Sequence, residues 1–380
     1  MKCIDELTRD ELRGKCVLVR AGLDLPVDEK GEVTDLFRVK KAIPTLHFLS
    51  QAGAKVIILS HIGRDPSSTN EPVQRALAHH IKTTYIPDLF GHLAKSAIET
   101  MRNGEVLLLE NLRQHYDLEK ANDETFAKEL AALGDIYVND AFSNSHREHA
   151  SMVALPKLLP HYAGMIVRDE VEQLSKALNP ARPALAIIGG AKFETKVPVI
   201  ELFLKKYDHT FIVGAIANDI FKAQGLPIGR SRVSNELPSP AVIGHPRIVI
   251  PNDVTAQRSD GQSYVKKPRE VTADDKIVDI GPDTVALVAP HIERAQFILW
   301  NGPTGLYEEG FTSYTHAIAE IISRRVAAGA HAIIGGGDTI AALEESGITE
   351  EKLGFLSTGG GAMLEFLVKG TLPAIQALSD

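Results

Sequence analysis

Five short apolar runs in the second half of the chain each end in glycine, asparagine or an acid. They read LAIIGGAK, FIVGAIAN, ILWNGPTG, AIIGGGDT and LSTGGGAM. Apolar runs of about five residues that stop at glycine are typical of buried parallel strands, and ligands bind at the carboxyl ends of such strands. Glycine lets the backbone approach a phosphate closely, and the amides of a following helix start favour an anion. The sequence therefore predicts a phosphate-handling site built from several distant segments.

Strands and helices also alternate in the first half, where CVLVR, KVIILS, EVLLLEN and DIYVND have strand character. A chain of 380 residues exceeds what one hydrophobic core usually organises. We therefore predict an α/β protein with two doubly wound parallel-sheet (Rossmann-like) domains. The predicted parts are an N-terminal domain at 1–166, a hinge helix and linker at 167–183, a C-terminal domain at 184–365, and a tail at 366–380 that packs back on the N-terminal domain.

Composition and charge exclude several classes of partner. The net charge of -8 argues against general nucleic-acid binding. No apolar stretch approaches the roughly 20 residues of a membrane span, and the acidic start MKCIDELTRDEL differs from a secretory signal. We expect a cytoplasmic protein that binds neither membrane nor nucleic acid. A monomer is the default, since no apolar heptad pattern is present.

Basic residues follow the predicted strands of the first half. Arginine's planar guanidinium matches carboxylate and phosphate groups through paired hydrogen bonds. Each arginine alone has a simpler explanation as a solvated surface residue. Several at strand ends instead suggest an anion site on one sheet edge, formed by Arg38, His61, Arg64, Arg113, His146 and Arg147.

Eight segments in the same order as in a known family carry a resemblance over essentially the whole length. In the first half they are VLVR at 17–20, SHIGR at 60–64, ENLR at 110–113, and NDAF at 139–142 with His146 and Arg147. In the second half they are GGAK at 189–192, WNGP at 300–303, GGGD at 335–338 and STGGGA at 357–362. With these segments the chain resembles phosphoglycerate kinase.

The resemblance implies reversible phosphoryl transfer between 1,3-bisphosphoglycerate and ADP, giving 3-phosphoglycerate and ATP with Mg²⁺. It implies an N-terminal domain that binds the glycerate, a C-terminal domain that binds the nucleotide, and hinge closure that joins them. Such transfer depends on in-line positioning and charge neutralisation. The implied catalytic residues are Arg38, Lys196, Gly337 and Gly360. The implied glycerate-binding residues are Asp24, Arg38, His61, Arg64, Arg113, His146 and Arg147.

The nucleotide side is implied in the same way. Its residues are Lys192, Lys196, Gly214, Asn301, Glu308, Gly336, Gly337, Asp338 and Thr339, with Asp338 also meeting the metal. Simpler roles stay open for some of them. The two lysines suit an exposed helix face, Asp338 suits a helix cap, and Glu308 suits a solvated surface.

Three departures from the family pattern stand out. Where the family usually has Arg-x-Asp-x-Asn-x-Pro, this chain has Gly22 in place of the acid and Asp24 in place of the amide. A glycine stretch near the adenine becomes Val213-Gly214-Ala215, and the segment 229–246 is shorter and less helical than usual. These departures leave two alternatives: a kinase of the same fold that acts on another small acid, and a non-catalytic nucleotide-binding relative.

Overall fold

The computed structural model describes residues 1–191 and 193–379, except for the side chain of Ala241. Two compact units make up the chain. The first comprises Met1–Glu172 and Thr371–Asp380, and the second comprises Gln173–Gly370. The division falls inside one helix, Met165–Leu178.

The first unit is built on a six-stranded parallel sheet in the order β3-β4-β2-β1-β5-β6. Its strands are β1 (Cys16–Ala21), β2 (Lys55–Leu59), β3 (Thr84–Tyr85), β4 (Val106–Leu108), β5 (Ile136–Asp140) and β6 (His161–Ala163). Its helices are α1 (Arg9–Leu12), α2 (Phe37–Gln51), α3 (Glu71–Ala78), α4 (His92–Thr100), α5 (Tyr116–Lys120), α6 (Glu124–Ala131) and the start of α7 (Met165–Leu178). The last short helix of the chain, Pro373–Gln376, also belongs here.

The central strands are buried on both faces, since consecutive residues of β1 and β2 are buried. Val17 and Val19 of β1, with Val56 and Ile58 of β2, are fully buried in one core with α2. Parallel strands buried in this way read as continuous apolar runs, which is why they are visible in the sequence. The start of α2 is fixed by Asp35, whose carboxylate accepts a hydrogen bond from the Phe37 amide at 2.7 Å.

The second unit contains another six-stranded parallel sheet, in the order β15-β14-β13-β7-β8-β9. Its strands are β7 (Ala184–Ile188), β8 (His209–Ile212), β9 (Ile248–Val249), β13 (Phe297–Asn301), β14 (His331–Gly335) and β15 (Phe355–Leu356). Its helices are α8 (Val197–Lys206), α9 (Ala215–Ala223), α10 (Pro240–Ile243), α11 (Pro282–Arg294), α12 (Ser313–Ala327), α13 (Gly337–Glu344), α14 (Glu350–Leu353) and α15 (Gly361–Lys369); α16 is the Pro373–Gln376 helix of the first unit.

A small antiparallel sheet also lies in the second unit and has no counterpart in the sequence-based prediction. It comprises β10 (Val254–Gln257), β11 (Ser263–Lys266) and β12 (Lys276–Ile280), with β10 in the middle. The two parallel sheets confirm the predicted fold class. In the part of the chain that the structure describes, no helix has the length and apolar character to cross a membrane.

Candidate active site

The strand order of the first unit creates a topological switch point between β1 and β5. The chain leaves β1 toward β2 on one side and leaves β5 toward β6 on the other. Ligands of doubly wound sheets bind beyond the carboxyl ends of the strands at such a point. Polar side chains follow the strands at this edge: Asp24 after β1, His61 and Arg64 after β2, Arg113 after β4, and His146 and Arg147 after β5.

Asp24 lies at the centre of the contacts in this first unit. Its Oδ1 accepts a hydrogen bond from the Gly63 amide at 3.0 Å, and its backbone carbonyl accepts one from Arg38 Nη1 at 2.6 Å. His61 Nε2 lies 3.5 Å from its Oδ2. The structure therefore brings Asp24, Arg38 and His61 together, although they come from three separate segments.

The carboxyl group of Asp24 and the imidazole of His61 titrate far from their usual pH. Burial raises the pKa of Asp24, but the nearby His61 ring, the hydrogen bond from the Gly63 amide and the charge of Arg113 outweigh burial and lower the pKa to about 2. Burial lowers the pKa of His61 to about 4, although Asp24 opposes this change. At neutral pH the contact therefore joins an ionised Asp24 to an uncharged His61.

Arg113 supplies a buried positive charge at the same edge. It is 8% exposed, and within the described chain its guanidinium has neither a hydrogen bond nor an ion pair. Burial lowers its pKa, with the positive charges of Arg147 and Arg64 acting in the same direction and Asp24 opposing them. Arg147 and His146 are half-buried, and Arg64 is exposed. Such a concentration of cationic groups around one carboxylate favours a ligand with more than one negative charge.

Gly22 occupies the position where the family pattern has an acid. A Cβ atom here would lie 3.0 Å from Ser143 Oγ and 3.4 Å from Ala141 Cα. A side chain at position 22 therefore needs Ser143 to move slightly, while the backbone leaves room for it. The acid of this loop has moved two residues along the chain to Asp24, where the Gly63 amide holds it.

The second unit has its switch point between β7 and β13, and two glycine loops meet there. Gly302 has a φ of +102°, and a Cβ atom on it would lie 2.6 Å from the backbone of Gly189. Only glycine permits this approach, because any side chain would collide with the neighbouring main chain. The ends of β7 and β13 thus pack backbone against backbone at the edge where a ligand is expected.

A second pair of glycine loops follows β14 and β15. A Cβ atom on Gly360 would lie 3.2 Å from Gly336 Cα, so these loops lie side by side. Helix α13 begins at Gly337 and α15 begins at Gly361, directly after them. The first amides of a helix have no partner within the helix and carry the positive end of its dipole. The two starts are suited to bind the oxygens of a phosphate.

Lys196 is anchored beside these loops by Asn301. Its Nζ lies 3.3 Å from Asn301 Oδ1, and Asn301 Nδ2 donates to the Gly335 carbonyl at 3.0 Å. Burial lowers the pKa of Lys196 to about 8, although the negative charge of Asp338 opposes this change. Asn301 therefore connects the end of β14 to the amine that faces the glycine loops.

Thr339 holds the same loops together through its hydroxyl group. The hydroxyl accepts a hydrogen bond from the Gly302 amide at 2.7 Å and donates one to the Gly335 carbonyl at 3.0 Å. The side chain is completely buried. Its hydroxyl is therefore engaged within the protein, and the backbone amide of Thr339 in the first turn of α13 is the group suited to a phosphate.

A cavity of about 360 Å³ opens next to this cradle within the second unit. Its apolar walls include Phe221, Pro251, Val254 and Leu306, which suits a flat aromatic ring. The predicted residues Gly214, Glu308 and Asp338 also line it, and so does Ala215 of the altered glycine stretch. Val213 is instead buried, close to where a Cβ on Gly189 would lie. The cavity has the size and lining expected for a nucleoside.

Asp338 is the predicted metal ligand, and its surroundings fit a Mg²⁺ ion. The carboxylate is exposed at the start of α13, lines the cavity, and accepts a hydrogen bond from the Tyr307 hydroxyl at 3.3 Å. Among the described residues no group of three or more histidine, cysteine, aspartate or glutamate side chains could hold a metal ion. Mg²⁺ is commonly held by one or two carboxylates together with substrate phosphates, which requires no larger cluster.

The remaining predicted nucleotide residue, Lys192, lies outside the described residues. The sequence-based prediction of the site did not include Arg20, Glu119 and Ser151 of the first unit. These residues are buried, and hydrogen bonds connect their side chains to one another and to His61. Arg20 and Ser151 are 131 positions apart in the chain. No local motif joins them, so sequence spacing alone carries no signal for this contact.

Comparisons with known proteins identify the family. The family model described as phosphoglycerate kinase matches residues 4–370. Phosphoglycerate kinase of Methylorubrum extorquens (strain PA1) is 40% identical over 387 residues, covering 97% of this chain and 96% of the relative. That of Moorella thermoacetica (strain ATCC 39073 / JCM 9320) is 41% identical over 389 residues, covering 97% and 98%.

Two solved structures are similar over nearly the whole chain. Phosphoglycerate kinase from Coxiella burnetii has a TM-score of 0.81 at 34% identity, covering 99% of this chain and 98% of that one. The enzyme from Pyrococcus horikoshii OT3 has a TM-score of 0.88 at 29% identity, covering 100% and 98%. The fold and its relatives define a phosphotransferase with two doubly wound sheets. The chain belongs to the phosphoglycerate kinase family.

Proposed function

We propose that this chain transfers a phosphoryl group reversibly between 1,3-bisphosphoglycerate and ADP, giving 3-phosphoglycerate and ATP. The observation that carries the proposal is Arg113, a buried guanidinium without an ion-pair partner in the described chain, close enough to Arg64 and Arg147 to feel their charges. An unpaired buried cation is costly, and a bound anion removes that cost. A ligand with both a carboxylate and a phosphate suits three arginines.

In the first unit, the predicted residues other than His61 fill three roles in this proposal. Arg64, Arg113 and Arg147, with His146, neutralise the phosphate and carboxylate of the glycerate. Asp24 accepts a hydrogen bond from the hydroxyl group of the glycerate, because the Asp24 carboxylate is ionised and partly exposed. Arg38, held by the Asp24 carbonyl, stabilises the negative charge on the transferring phosphoryl group.

In the second unit, the cavity takes the nucleoside and Glu308 accepts from the ribose. The amides at the starts of α13 and α15, including those of Gly337 and Gly361, bind phosphate oxygens. Lys192 binds the nucleotide phosphates in the same proposal, and Lys196 adds a positive charge near the transferring group. Bound at Asp338, Mg²⁺ would neutralise phosphate charge. A cytoplasmic location and a monomeric state stay predictions of the sequence.

The proposal is tested by following ATP consumption at saturating 3-phosphoglycerate and Mg²⁺ in a coupled assay. We expect turnover that disappears in Arg38→Ala, which also controls for a contaminating kinase. ADP binding is measured in parallel by calorimetry.

Absence of turnover despite ADP binding would overturn the glycerate assignment. A panel of small phosphorylated hydroxy acids would then separate the two alternatives. Turnover with another acid would identify a kinase of different specificity, which the exchange at Gly22 and Asp24 favours. No turnover with any acid would indicate a non-catalytic nucleotide-binding relative.

A further inference from the structure

A network of buried polar side chains adjoins His61. It is formed by Arg20, Ser151 and Glu119. Each of these three side chains is at most 2% exposed. Arg20 Nε lies 3.1 Å from Ser151 Oγ, and Ser151 Oγ lies 2.5 Å from Glu119 Oε1. The Ser151 amide lies 2.9 Å from the other carboxylate oxygen of Glu119. The Tyr137 hydroxyl donates to the Ser151 carbonyl at 2.7 Å, which fixes this part of the backbone.

The direction of the side-chain hydrogen bonds in this network follows from the chemistry of arginine. A guanidinium only donates, so Ser151 Oγ accepts from Arg20 Nε. The hydroxyl proton of Ser151 is then donated to Glu119. Both oxygens of Glu119 accept hydrogen bonds from Ser151, an arrangement that favours the ionised carboxylate. Burial raises the pKa of Glu119, while the positive charge of Arg20 and the two bonds from Ser151 oppose this change.

The same argument fixes the proton on His61 at the other end. Arg20 Nη2 lies 2.8 Å from His61 Nδ1. Because the guanidinium donates, Nδ1 must be the unprotonated nitrogen, and a neutral imidazole then carries its proton on Nε2. His61 Nε2 lies 3.5 Å from Asp24 Oδ2, longer than an ordinary hydrogen bond, and has no other partner in the described chain. The Nε2 proton therefore points toward Asp24 without forming an ordinary hydrogen bond.

Burial favours the neutral form of His61 most strongly, and the surrounding charges act on its pKa in both directions. Arg20 and Arg113 present positive charge to it, and Asp24 presents negative charge. His149 is also near, and burial together with the neighbouring arginines lowers its pKa to about 3, so it adds no charge at neutral pH. A second proton on Nδ1 would have to displace the Arg20 guanidinium. Protonation of His61 is therefore opposed by both burial and geometry.

We infer that Arg20, Ser151 and Glu119 are positioning residues that hold His61 as a neutral hydrogen-bond donor with its proton on Nε2, directed at Asp24, the carboxylate proposed to accept from the hydroxyl group of the acid. His61 then adds no positive charge to the anion site at neutral pH. The identity of the acid rests on the proposed function, whereas the tautomer of His61 does not. Between pH 5 and pH 8, protonation of His61 should therefore cause no change in substrate affinity.

The direct test is the ¹⁵N spectrum of the histidine side chains in the full, ligand-free chain. His61→Gln identifies the signal of His61 by its loss. We expect a neutral ring with the proton on Nε2 from pH 5.5 to 8. A proton on Nδ1, or a doubly protonated ring at pH 6.5, would overturn the inference. Because no substrate is present, this result is independent of whether the glycerate assignment is correct.

Two matched variants test the donor itself. The amide nitrogen of glutamine can take the place of Nε2, whereas asparagine, being shorter, can take only the place of Nδ1. We expect the Michaelis constant for 3-phosphoglycerate to be higher in His61→Asn than in His61→Gln by about threefold or more. Equal effects of the two variants would contradict a donor role at Nε2.

The positioning residues are tested with Ser151→Ala, with Ser50→Ala as the control. The Ser50 hydroxyl donates to the Gly104 carbonyl elsewhere in the same unit, away from His61. We expect Ser151→Ala to let His61 protonate above pH 5.5 in the ¹⁵N spectrum and to make the Michaelis constant depend on pH. Unchanged His61 signals in a variant with a native circular dichroism spectrum would show that Ser151 has only a structural role.

Discussion

The Nζ atom of Lys196 lies 3.3 Å from the Oδ1 atom of Asn301 and has a pKa of about 8, chiefly because the amine is buried. An amine with such a pKa loses its charge at moderately alkaline pH. If its charge binds nucleotide phosphate, ADP affinity should fall as pH rises through about 8. About a tenth of the amine stays charged at pH 9, which predicts roughly tenfold weaker binding there than at pH 7.

This first prediction is checked by calorimetric ADP titrations between pH 6.5 and pH 9.5. Lys196→Arg is the matched control, because a guanidinium stays charged over this range. Its ADP affinity should vary little with pH. An identical alkaline decline in both proteins would mean that Lys196 is not the titrating group.

Arg38 should act mainly in the transition state. Its Nη1 is held by the Asp24 carbonyl at 2.6 Å, which directs the guanidinium without pairing it with a carboxylate. We expect Arg38→Ala to lower kcat by at least about a hundredfold while ADP affinity changes less than about twofold. Steady-state kinetics and calorimetry measure the two quantities, with the exposed Arg102→Ala as a charge-matched control. Parallel losses in kcat and ADP affinity would contradict the assignment.

Asp24 should be the hydroxyl acceptor of the glycerate site. In Asp24→Asn the Oδ1 atom can keep its bond from Gly63, but the new amide group would face the Nε2 proton of His61, donor against donor. We expect the Michaelis constant for 3-phosphoglycerate to rise about tenfold. Glu29→Gln removes the same charge from an exposed position of the same loop and should leave this constant unchanged.

Restoring the family pattern extends this test. We expect Gly22→Asp combined with Asp24→Asn to recover apparent affinity for 3-phosphoglycerate, because a Cβ atom at position 22 would crowd the Ser143 hydroxyl and meet Ala141 at ordinary contact distance. A Michaelis constant equal to or higher than that of Asp24→Asn alone would show that the exchange is compensated elsewhere in the site.

The parallel sheets could be predicted from the sequence because their central strands are buried on both faces and read as continuous apolar runs, as in residues 184–188 and 297–301. The antiparallel strands of the second unit could not. In β11, Ser263, Tyr264 and Val265 are all exposed, so no apolar run marks this edge strand. Its position follows from pairing with β10, which is a tertiary contact.

The candidate site could likewise be predicted from the sequence only in part. Arg64 and the glycine loops carry recognisable local motifs, so their segments could be located from the sequence. The polar contacts that orient them join residues far apart in the chain, as Lys196 and Asn301 do over 105 positions. The hydrogen bonds of the Thr339 hydroxyl to Gly302 and Gly335 also could not be predicted, because they depend on the close approach of β13 and β14.

Asp338 should determine how much Mg²⁺ the reaction requires. Its carboxylate lines the cavity, and among the described residues its one hydrogen bond comes from Tyr307, so an oxygen is available to a hydrated ion. We expect Asp338→Asn to raise the Mg²⁺ concentration for half-maximal activity about tenfold or more, since one ionic ligand is lost. Magnesium titrations of kcat at fixed total ADP measure this. The exposed Glu345→Gln near the end of α13 is the control, and equal Mg²⁺ requirements in wild type and Asp338→Asn would exclude the assigned role.

Asp140 should make the stability of the protein depend on pH. Its Oδ1 accepts a hydrogen bond from the Ile166 amide at the start of α7, and the side chain is buried. Burial raises its pKa from 3.8 to about 7, although hydrogen bonds from Thr45 and the α7 amides oppose this. The folded protein therefore holds a proton that the unfolded chain has released between pH 4 and pH 7. Stability from this group is present below about pH 4 and is lost as pH rises to 7.

Asp140→Asn removes this titration while retaining an oxygen for the Ile166 amide. We expect the free energy of unfolding of the variant, relative to wild type, to increase from pH 4.5 to pH 7 by on the order of a few kcal/mol and then to level off. Urea unfolding at several pH values measures the difference, in which every other titrating group cancels. The exposed Asp117→Asn should show no such change. A constant difference between Asp140→Asn and wild type across this range would mean that Asp140 is already ionised in the folded protein.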